Sequence, residues 1–524
     1  MIYVILGQTA SGKTSLALSL AKRYSLPVIS ADAFQCFKIR QIGTDKPTRE
    51  ETEGVDYYFY DEYDPDYDRS VFTFQNECRP VIEEYIKKGK DILVVGGNFL
   101  YIKALLYKYV FQKSEEKENP YEARSLSEMQ PLLKSRSEKV FHEIDHENPR
   151  RVIRALVQLD EGTNRDSILK ENDGVPLYPV TFLRIDVDKD EGNALIDKRV
   201  DQRRKEGFVD EVKNLLAKYP KDLRPFTSIG YKEIISALEE GKEIDSSVSD
   251  LIKLHTHQYA KKQRTALRHQ FKDVICGTKK EIDDLISANI ERKSKTRLVL
   301  SPKERNLVET KSILFCGLGG VGGEGVLSLT RLGFTNIDIR DNCLVSAHNL
   351  NRQSLFGFKD IGRRKTDVAK EKRLAINPLR KVNTYFRNIE DKDRLRKKKY
   401  DIIVDAIDYV PGKTSLYRKA REDGSYYVTS GAMGFRYDST KVKTGTEKDA
   451  FDLLSKKFKK ALLEKGIQQA EIDSIETVYC SSGQLKGKKD SNSIGSLSTV
   501  GPSAGLALTT RIIQHIREEA KNEE

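Results

Sequence analysis

The chain has 524 residues, 38% of them hydrophobic and 8% aromatic, enough to bury the cores of roughly two to four ordinary domains. No run of about 18 apolar residues could span a bilayer, and glycines break the first apolar run before any cleavage-like site, so a cytoplasmic protein with no membrane partner is expected. A net charge of +12 suits a nucleic-acid partner without requiring one, and six cysteines scattered singly, with no C-x-x-C pair, argue against a zinc ribbon or a disulfide framework.

Ile2 to Leu6 is a short apolar, β-branched run that reads as a buried parallel strand. Gly7 to Thr14 then fits G-x-x-x-x-G-K-T, and Ser15 to Arg23 continues as a helix. Strand, glycine loop and helix in that order predict a phosphate cradle. Gly7, Thr9, Ala10, Ser11 and Gly12 offer backbone N–H groups, Lys13 a fixed cation, and Thr14 a hydroxyl for Mg²⁺. The bland alternative is an ordinary glycine turn. Pro27 to Ser30 predicts the second strand, which ends at Asp32, a candidate base or metal ligand in the crevice where α/β sheets bind ligands. Its structural alternative is a helix cap.

GQTASGKTSLALSLAK, ISADAFQ, IGTDKPTREE, LVVGGNFLYIKALL, NPRRVIRAL, SIGYKEIISAL and QYAKKQRTALR, in that order, resemble the tRNA dimethylallyltransferases over roughly residues 1–275. The resemblance implies a P-loop NTPase-like parallel sheet with an inserted helical lobe over about 107–190. It implies prenyl transfer from dimethylallyl diphosphate to the exocyclic amine of the adenosine 3′ of the anticodon. Lys13, Thr14 and Mg²⁺ would hold the diphosphate, and Asp32 would take the amine proton. Gln35, Thr44, Lys46, Pro47, Thr48 and Asn98 would contact substrate. Arg150, Arg151 and Arg154, with Lys261, Lys262, Arg264 and Arg268, would contact the tRNA anticodon arm; a solvated helix face is the alternative for each arginine. The chain departs from the family pattern at Asn98, Phe99, Cys36 and Ala266, and Phe99, in place of glycine, is expected to narrow the substrate tunnel.

From Cys276 to Thr296 the sequence is charged with a helical period, so a domain boundary is expected near 288, with a linker over 289–296 and a second domain over 297–524. Ser312 to Cys316 predicts another buried strand, and Gly317, Gly319, Gly320 and Gly322 form G-x-G-x-x-G at the start of a helix. The following strand, Asn336 to Arg340, ends at Asp341, suited to ribose hydroxyls.

HNLNRQSLFG, DIGRRK and INP resemble the ubiquitin-activating and carrier-activating adenylating enzymes, and DAIDYVPGKTSL with TSGAMGFRYDSTKVK is similar to the tRNA threonylcarbamoyladenosine dehydratases, over roughly residues 295–517. This implies a Rossmann-like domain that uses ATP. Asp341 would meet the ribose, Asn349, Arg352, Gln353 and Lys365 the triphosphate, and Asp408 Mg²⁺. Arg297 aligns with an arginine that closes the site, and Cys480 stands as the one candidate for a crossover-loop nucleophile. The family's second acidic residue is Cys343 here. A homodimer through the second domain is expected from the same resemblance. The combined expectation is an α/β fusion of two tRNA-modifying enzymes. Prenylation of free adenine nucleotides, and activation of a ubiquitin-like carrier protein, stay open as alternatives.

Overall fold

A computed structural model describes residues 1–38, 42–67, 69–108, 120–121, 124–160, 176–271, 273–379, 382–389, 398–483 and 495–522. The first sheet contains β1 (Ile2–Leu6), β2 (Val28–Ser30), β3 (Tyr57–Tyr58), β4 (Ile92–Val95), β5 (Val180–Ile185) and β6 (Ile275–Gly277). Its order is β3-β2-β4-β1-β5-β6, with every pair parallel. β1 and β4 are buried at every position. Continuous apolar runs are what a parallel sheet covered on both faces demands.

On one face lie α1 (Lys13–Tyr24) and, far later in the chain, a helix over Lys279–Lys293. Between them in sequence come α2 (Lys189–Lys205) and α3 (Ser246–His269), which makes Lys279–Lys293 α4. Ile282, Ile286 and Ile290 of α4 recur every four residues and pack with Leu16, Ala17 and Leu20 of α1, the stripe an amphipathic helix turns inward.

The expected helical insertion over 107–190 is shorter than its prediction. Helices Leu126–Arg136, Glu138–Glu143 and Pro149–Asp160 gather around Met129, Leu133, Val152 and Leu156. Val180–Ile185 instead forms β5, hydrogen-bonded along β1. Its largely apolar run, Val180 to Ile185, buried at every position but Arg184, suits a buried parallel strand. Residues 109–119 and 161–175 of the predicted insertion lie outside the described residues.

The second sheet has β7 (Ser312–Cys316), β8 (Asn336–Arg340), β9 (Thr384–Tyr385), β10 (Ile402–Asp405), β11 (Tyr426–Ser430), β12 (Val442–Thr446) and β13 (Glu476–Cys480). The order is β12-β13-β11-β10-β7-β8-β9, parallel except for the edge strand β12. α5 (Pro302–Thr310) leads into β7, α6 (Gly322–Leu332) follows the glycine loop, α7 (Lys365–Ile376) precedes β9, and α8 (Val500–Asn522) packs across α6. No helix among the described residues is long and apolar enough to cross a membrane.

Residues 289–293, expected in a linker, complete α4, and both Asn289 and Lys293 are buried. Lys293 Nζ lies 3.3 Å from Asp91 and 2.9 Å from Glu309 of α5. The Met1 amino group lies 3.2 Å from Asp91 and 3.0 Å from Glu309. Burial alone would raise the Asp91 carboxyl, yet Lys293, the Met1 amino group and Arg297 hold it far below the usual carboxylate range. Burial opposes charge on Lys293 as well, but Asp91 and Glu309 raise its ammonium. Arg292 donates to the carbonyls of Thr330 and Arg331, each at 3.3 Å. Leu379 of the second half sits in the first domain's core beside α1 and α4. Arg297, which the sequence aligned with an arginine closing the second site, instead bonds Asp91 here.

Candidate functional site

The first cradle starts where β1 ends. Gly12 has φ +79, so that position favours glycine, and a Cβ on Gly7 would crowd Ser11 Oγ at 2.5 Å. Gly12 caps α1 without any side-chain hydrogen bond, leaving the helix's first N–H groups for an anion. Buried Ser11 Oγ and Gln8 Nε2 have no hydrogen-bond partner among the described residues. Two orphaned donors inside a glycine cradle fit a phosphate ligand. Thr9 differs from expectation in detail: its N–H is taken by Gln263 Oε1 at 2.8 Å.

Lys13 Nζ donates to Gln8 O at 2.6 Å. Burial and neighbouring Arg199 push its pKa down to about 8, with Asp32 pulling the other way. The predicted cation and the predicted base therefore share one site. Asp32 Oδ1 accepts from the Phe34 and Gln35 N–H groups at 2.8 and 3.1 Å, which fixes the carboxylate just past β2. Tyr259 of α3 stands near the same carboxylate, its hydroxyl pushed up to about 12 by burial and by Asp32.

The segment Thr44 to Thr48 is braced rather than free. Gln35 Nε2 donates to the carbonyls of Thr44 and Asp45 at 3.1 and 3.3 Å. Lys46 is buried, with its ammonium on Phe37 O and Asp61. Pro47 O accepts from Tyr60, and Thr48 caps a short helix with Glu51. Arg199 and Arg203 of α2 both bind Asp45.

Gly96 and Gly97 permit close approach: a Cβ on Gly96 would lie 2.3 Å from Ala31 O, and one on Gly97 2.6 Å from Gln263 Nε2. Asn98 Oδ1 caps the next helix, accepting from Tyr101 N–H at 3.3 Å. Phe99 does not narrow a tunnel. Its ring is buried in the core against Phe271, centroids 5.7 Å apart, because the first turn of that helix faces inward.

Lys261, Lys262 and Arg268 are exposed on α3, and Arg264 donates to Gln8 Oε1 at 2.6 Å. Arg151 is exposed on helix Pro149–Asp160, at 3.8 Å from Asp145; the side chains of Arg150 and Arg154 lie outside what the structure describes. Arg199, Tyr259 and Gln263 were not singled out from sequence. Gln263 lies in the QYAKKQRTALR block, but only folding shows it bridging Thr9 N–H to Gly97 O at 3.3 Å.

The second cradle repeats the construction at the end of β7. Gly317 has φ +94, and a Cβ on Gly322 would lie 1.9 Å from Gly317 O. Gly319 is open on its Cβ side, and Gly320 lies against Arg352. Asp341 is buried. It accepts from Leu318 N–H and Cys343 N–H, each at 2.7 Å, so it braces the glycine loop; a carboxylate's remaining lone pairs can still take ribose hydroxyls.

Asn349 Oδ1 accepts from Ser346 N–H at 3.0 Å. Arg352 donates to His348 O at 2.9 Å. Gln353 is buried, with Oε1 lacking a partner among the described residues. Buried Lys365 opens α7. Burial and Asp341 push the Cys343 thiol up, Lys365 opposes them and Asp408 adds to them. Asp341 and Lys365 both lie against Cys343, whose N–H donates to Asp341 at 2.7 Å and whose carbonyl accepts from Lys365 N–H at 3.1 Å, and Asp408 is near enough to act on the same thiol.

Sequence reasoning missed the pair beneath them. Lys413 Nζ lies 3.2 Å from Asp405 and donates to Thr429 Oγ1 at 2.6 Å, both charges fully buried. They fix the strand end that carries Asp408. Cys480 is buried, 3.1 Å from Ser482 Oγ, which withdraws it from an exposed nucleophile's role.

No three His, Cys, Asp or Glu side chains among the described residues form a metal cage. Mg²⁺ bound through phosphate oxygens and water needs only one or two protein oxygens.

A family model described as IPP transferase matches residues 35–270, and one described as the ThiF family matches residues 291–522. A tRNA dimethylallyltransferase of Exiguobacterium sp. is 35% identical over 284 residues, covering 52% of this chain and 88% of that protein. A tRNA isopentenylpyrophosphate transferase structure from Staphylococcus epidermidis is 29% identical, covering 56% of this chain and 99% of that one, with TM-score 0.42. An E. coli tRNA N6-threonylcarbamoyladenosine dehydratase structure is 23% identical, covering 44% of this chain and 96% of that one, with TM-score 0.42. Through its first half the chain belongs to the tRNA dimethylallyltransferase family, joined to a second half that matches the ThiF family.

Proposed function

We propose that the chain is a bifunctional tRNA-modifying enzyme. The first domain moves a dimethylallyl group from its diphosphate to the exocyclic amine of the adenosine 3′ of the anticodon. The observation that carries this reading is the glycine cradle itself, with Ser11 Oγ and Gln8 Nε2 buried and unpartnered among the described residues and Lys13 Nζ 2.6 Å from Gln8 O, close enough to Asp32 to feel its charge. Diphosphate leaves only when its growing charge is neutralised, and the α1 N-terminus, Lys13 and Arg199 supply that charge. The amine attacks the allylic carbon, the carbon–oxygen bond to diphosphate breaks, and Asp32 takes the amine proton. Thr14 would hold Mg²⁺, which adds positive charge against the leaving group. The target base reaches such a pocket only when flipped from its stack.

The second domain adenylates the carboxylate of a threonylcarbamoyl adenosine and cyclises it with loss of AMP. The carboxylate oxygen attacks the α-phosphorus of ATP and diphosphate departs, its charge met by Arg352 and Lys365. Asp408 would hold Mg²⁺ on the triphosphate.

Nucleoside mass spectrometry of tRNA treated with the purified chain tests both halves. Asp32→Ala is expected to abolish only the prenylated adenosine, and Arg352→Ala only the cyclised product. Wild-type levels of either product in its variant would refute that half.

A further inference from the structure

We infer that one chain engages two anticodon arms at once, one at each end, and passes no adenosine between its sites. This rests on the functional reading above. It follows from which ends of the two sheets touch. Asp91 immediately precedes β4, and Met1 precedes β1; both meet the second half at Lys293, Arg297 and Glu309. On the other side, Glu309 lies just before β7, and Thr330 and Arg331 lie just before β8. Each sheet therefore presents the N-terminal edge of its parallel strands to the other.

Both cradles lie at the opposite edge. The Gly7 loop follows the last residue of β1 and the Gly317 loop the last residue of β7, each strand being five residues long. At about 3.3 Å per residue, each cradle stands roughly 17 Å beyond its own edge of the interface. α4 measures the same depth independently. Lys279 at its start donates to Ser15 beside the first cradle, and Lys293 at its end joins the interface. Fifteen helical residues at 1.5 Å each make about 22 Å.

A flexible tether would let two such sites turn toward one another. Here α4 runs into the buried charges, and Leu379 is packed in the first domain's core. The cradles open away from each other. Each also has its own exposed cations, Lys261, Lys262 and Arg268 on α3 beside the first, and Arg364 next to Lys365 at the second, so each can hold RNA phosphates without the other.

The test uses the full chain and two fluorescently distinct anticodon stem-loops, one with unmodified adenosine at the target position and one with threonylcarbamoyladenosine. Each is titrated alone, then both together, with native mass spectrometry reading the number bound per chain. Two loops per chain are expected. Saturating second loop, with the second site filled, is expected to change the initial prenylation rate less than twofold. Lys261→Glu with Arg264→Glu is expected to remove one loop and leave the other bound. A limit of one loop per chain, with the two displacing each other, would overturn the inference. If the threonylcarbamoyl loop fails to bind even alone, the functional reading of the second domain falls, and the inference with it.

Discussion

Asp32 and Lys13 sit together because the loops that follow β1 and β2, parallel strands with β4 between them, end at the same edge of the sheet. Asp32 is held by two backbone N–H groups, so its replacement should change chemistry more than structure. Asp32→Ala is expected to lower the single-turnover prenylation rate by about 10²–10⁴-fold, the usual share of a general base, while diphosphate binding measured by calorimetry stays within about twofold. Lys13 brings a pH dependence. Its folded pKa of about 8 means the ammonium is charged below that pH and neutral above it. Diphosphate affinity of the free enzyme should therefore be constant at pH 7 and fall by up to tenfold per pH unit above about 8. An affinity flat to pH 10 would show that Lys13 stays charged. Gln263 illustrates what spacing hides: its side chain ties Thr9 to Gly97 across the cradle, and nothing in its local sequence distinguishes it from a solvated helix glutamine.

Among elements, the glycine loops were legible because their reasons are local. A strand must end, a phosphate must reach the backbone, and a helix must begin, all within a dozen residues. Yet one tight requirement at the second loop comes from far away. Gly505 of α8 lies where a Cβ would meet Val321 O at 2.2 Å, and Gly501 lies against Gly320. Backbone clashes of that kind cannot be relieved by a rotamer change. Gly505→Val is expected to push α8 off the loop and weaken ATP binding at least tenfold, read by fluorescent-nucleotide titration, with prenyl transfer unchanged. The insertion shows the opposite failure. Its helices were expected from the family resemblance, but β5 was absorbed into it, since a short apolar run does not reveal whether its neighbour is a sheet or a helix.

For the whole molecule, the junction behaves as a core rather than a hinge. Lys293 compensates two buried carboxylates, Asp91 and Glu309. Burial works against Glu309, but Lys293 and the Met1 amino group bring it down to about 2. A depressed carboxylate stabilises the folded state above its unfolded pKa, near 4.3, and that contribution fades as pH falls through about 2. Lys293→Met leaves buried charge without its partner and is expected to cost about 3–5 kcal/mol. Chemical denaturation should then resolve two transitions where the parent chain shows the halves more closely coupled; an unchanged curve would refute the junction's role.

The sequence by itself determined both cradles, the strand–loop–helix order around each and the likeness to two families of tRNA-modifying enzymes, because those depend on short spacings and on the chemistry of individual side chains; it singled out Asp32, Lys13, Arg352, Lys365 and Asp408 as candidates through that likeness. It also held the amphipathic stripe of α4 but not what that stripe covers. Only the tertiary structure decided that Arg297 serves the junction, that Phe99 is core, that Lys413 and Asp405 support the second site, and that the two cradles face apart. Each of these depends on contacts between segments tens to hundreds of residues apart, and a hydrophobic period names the face of an element without naming its partner.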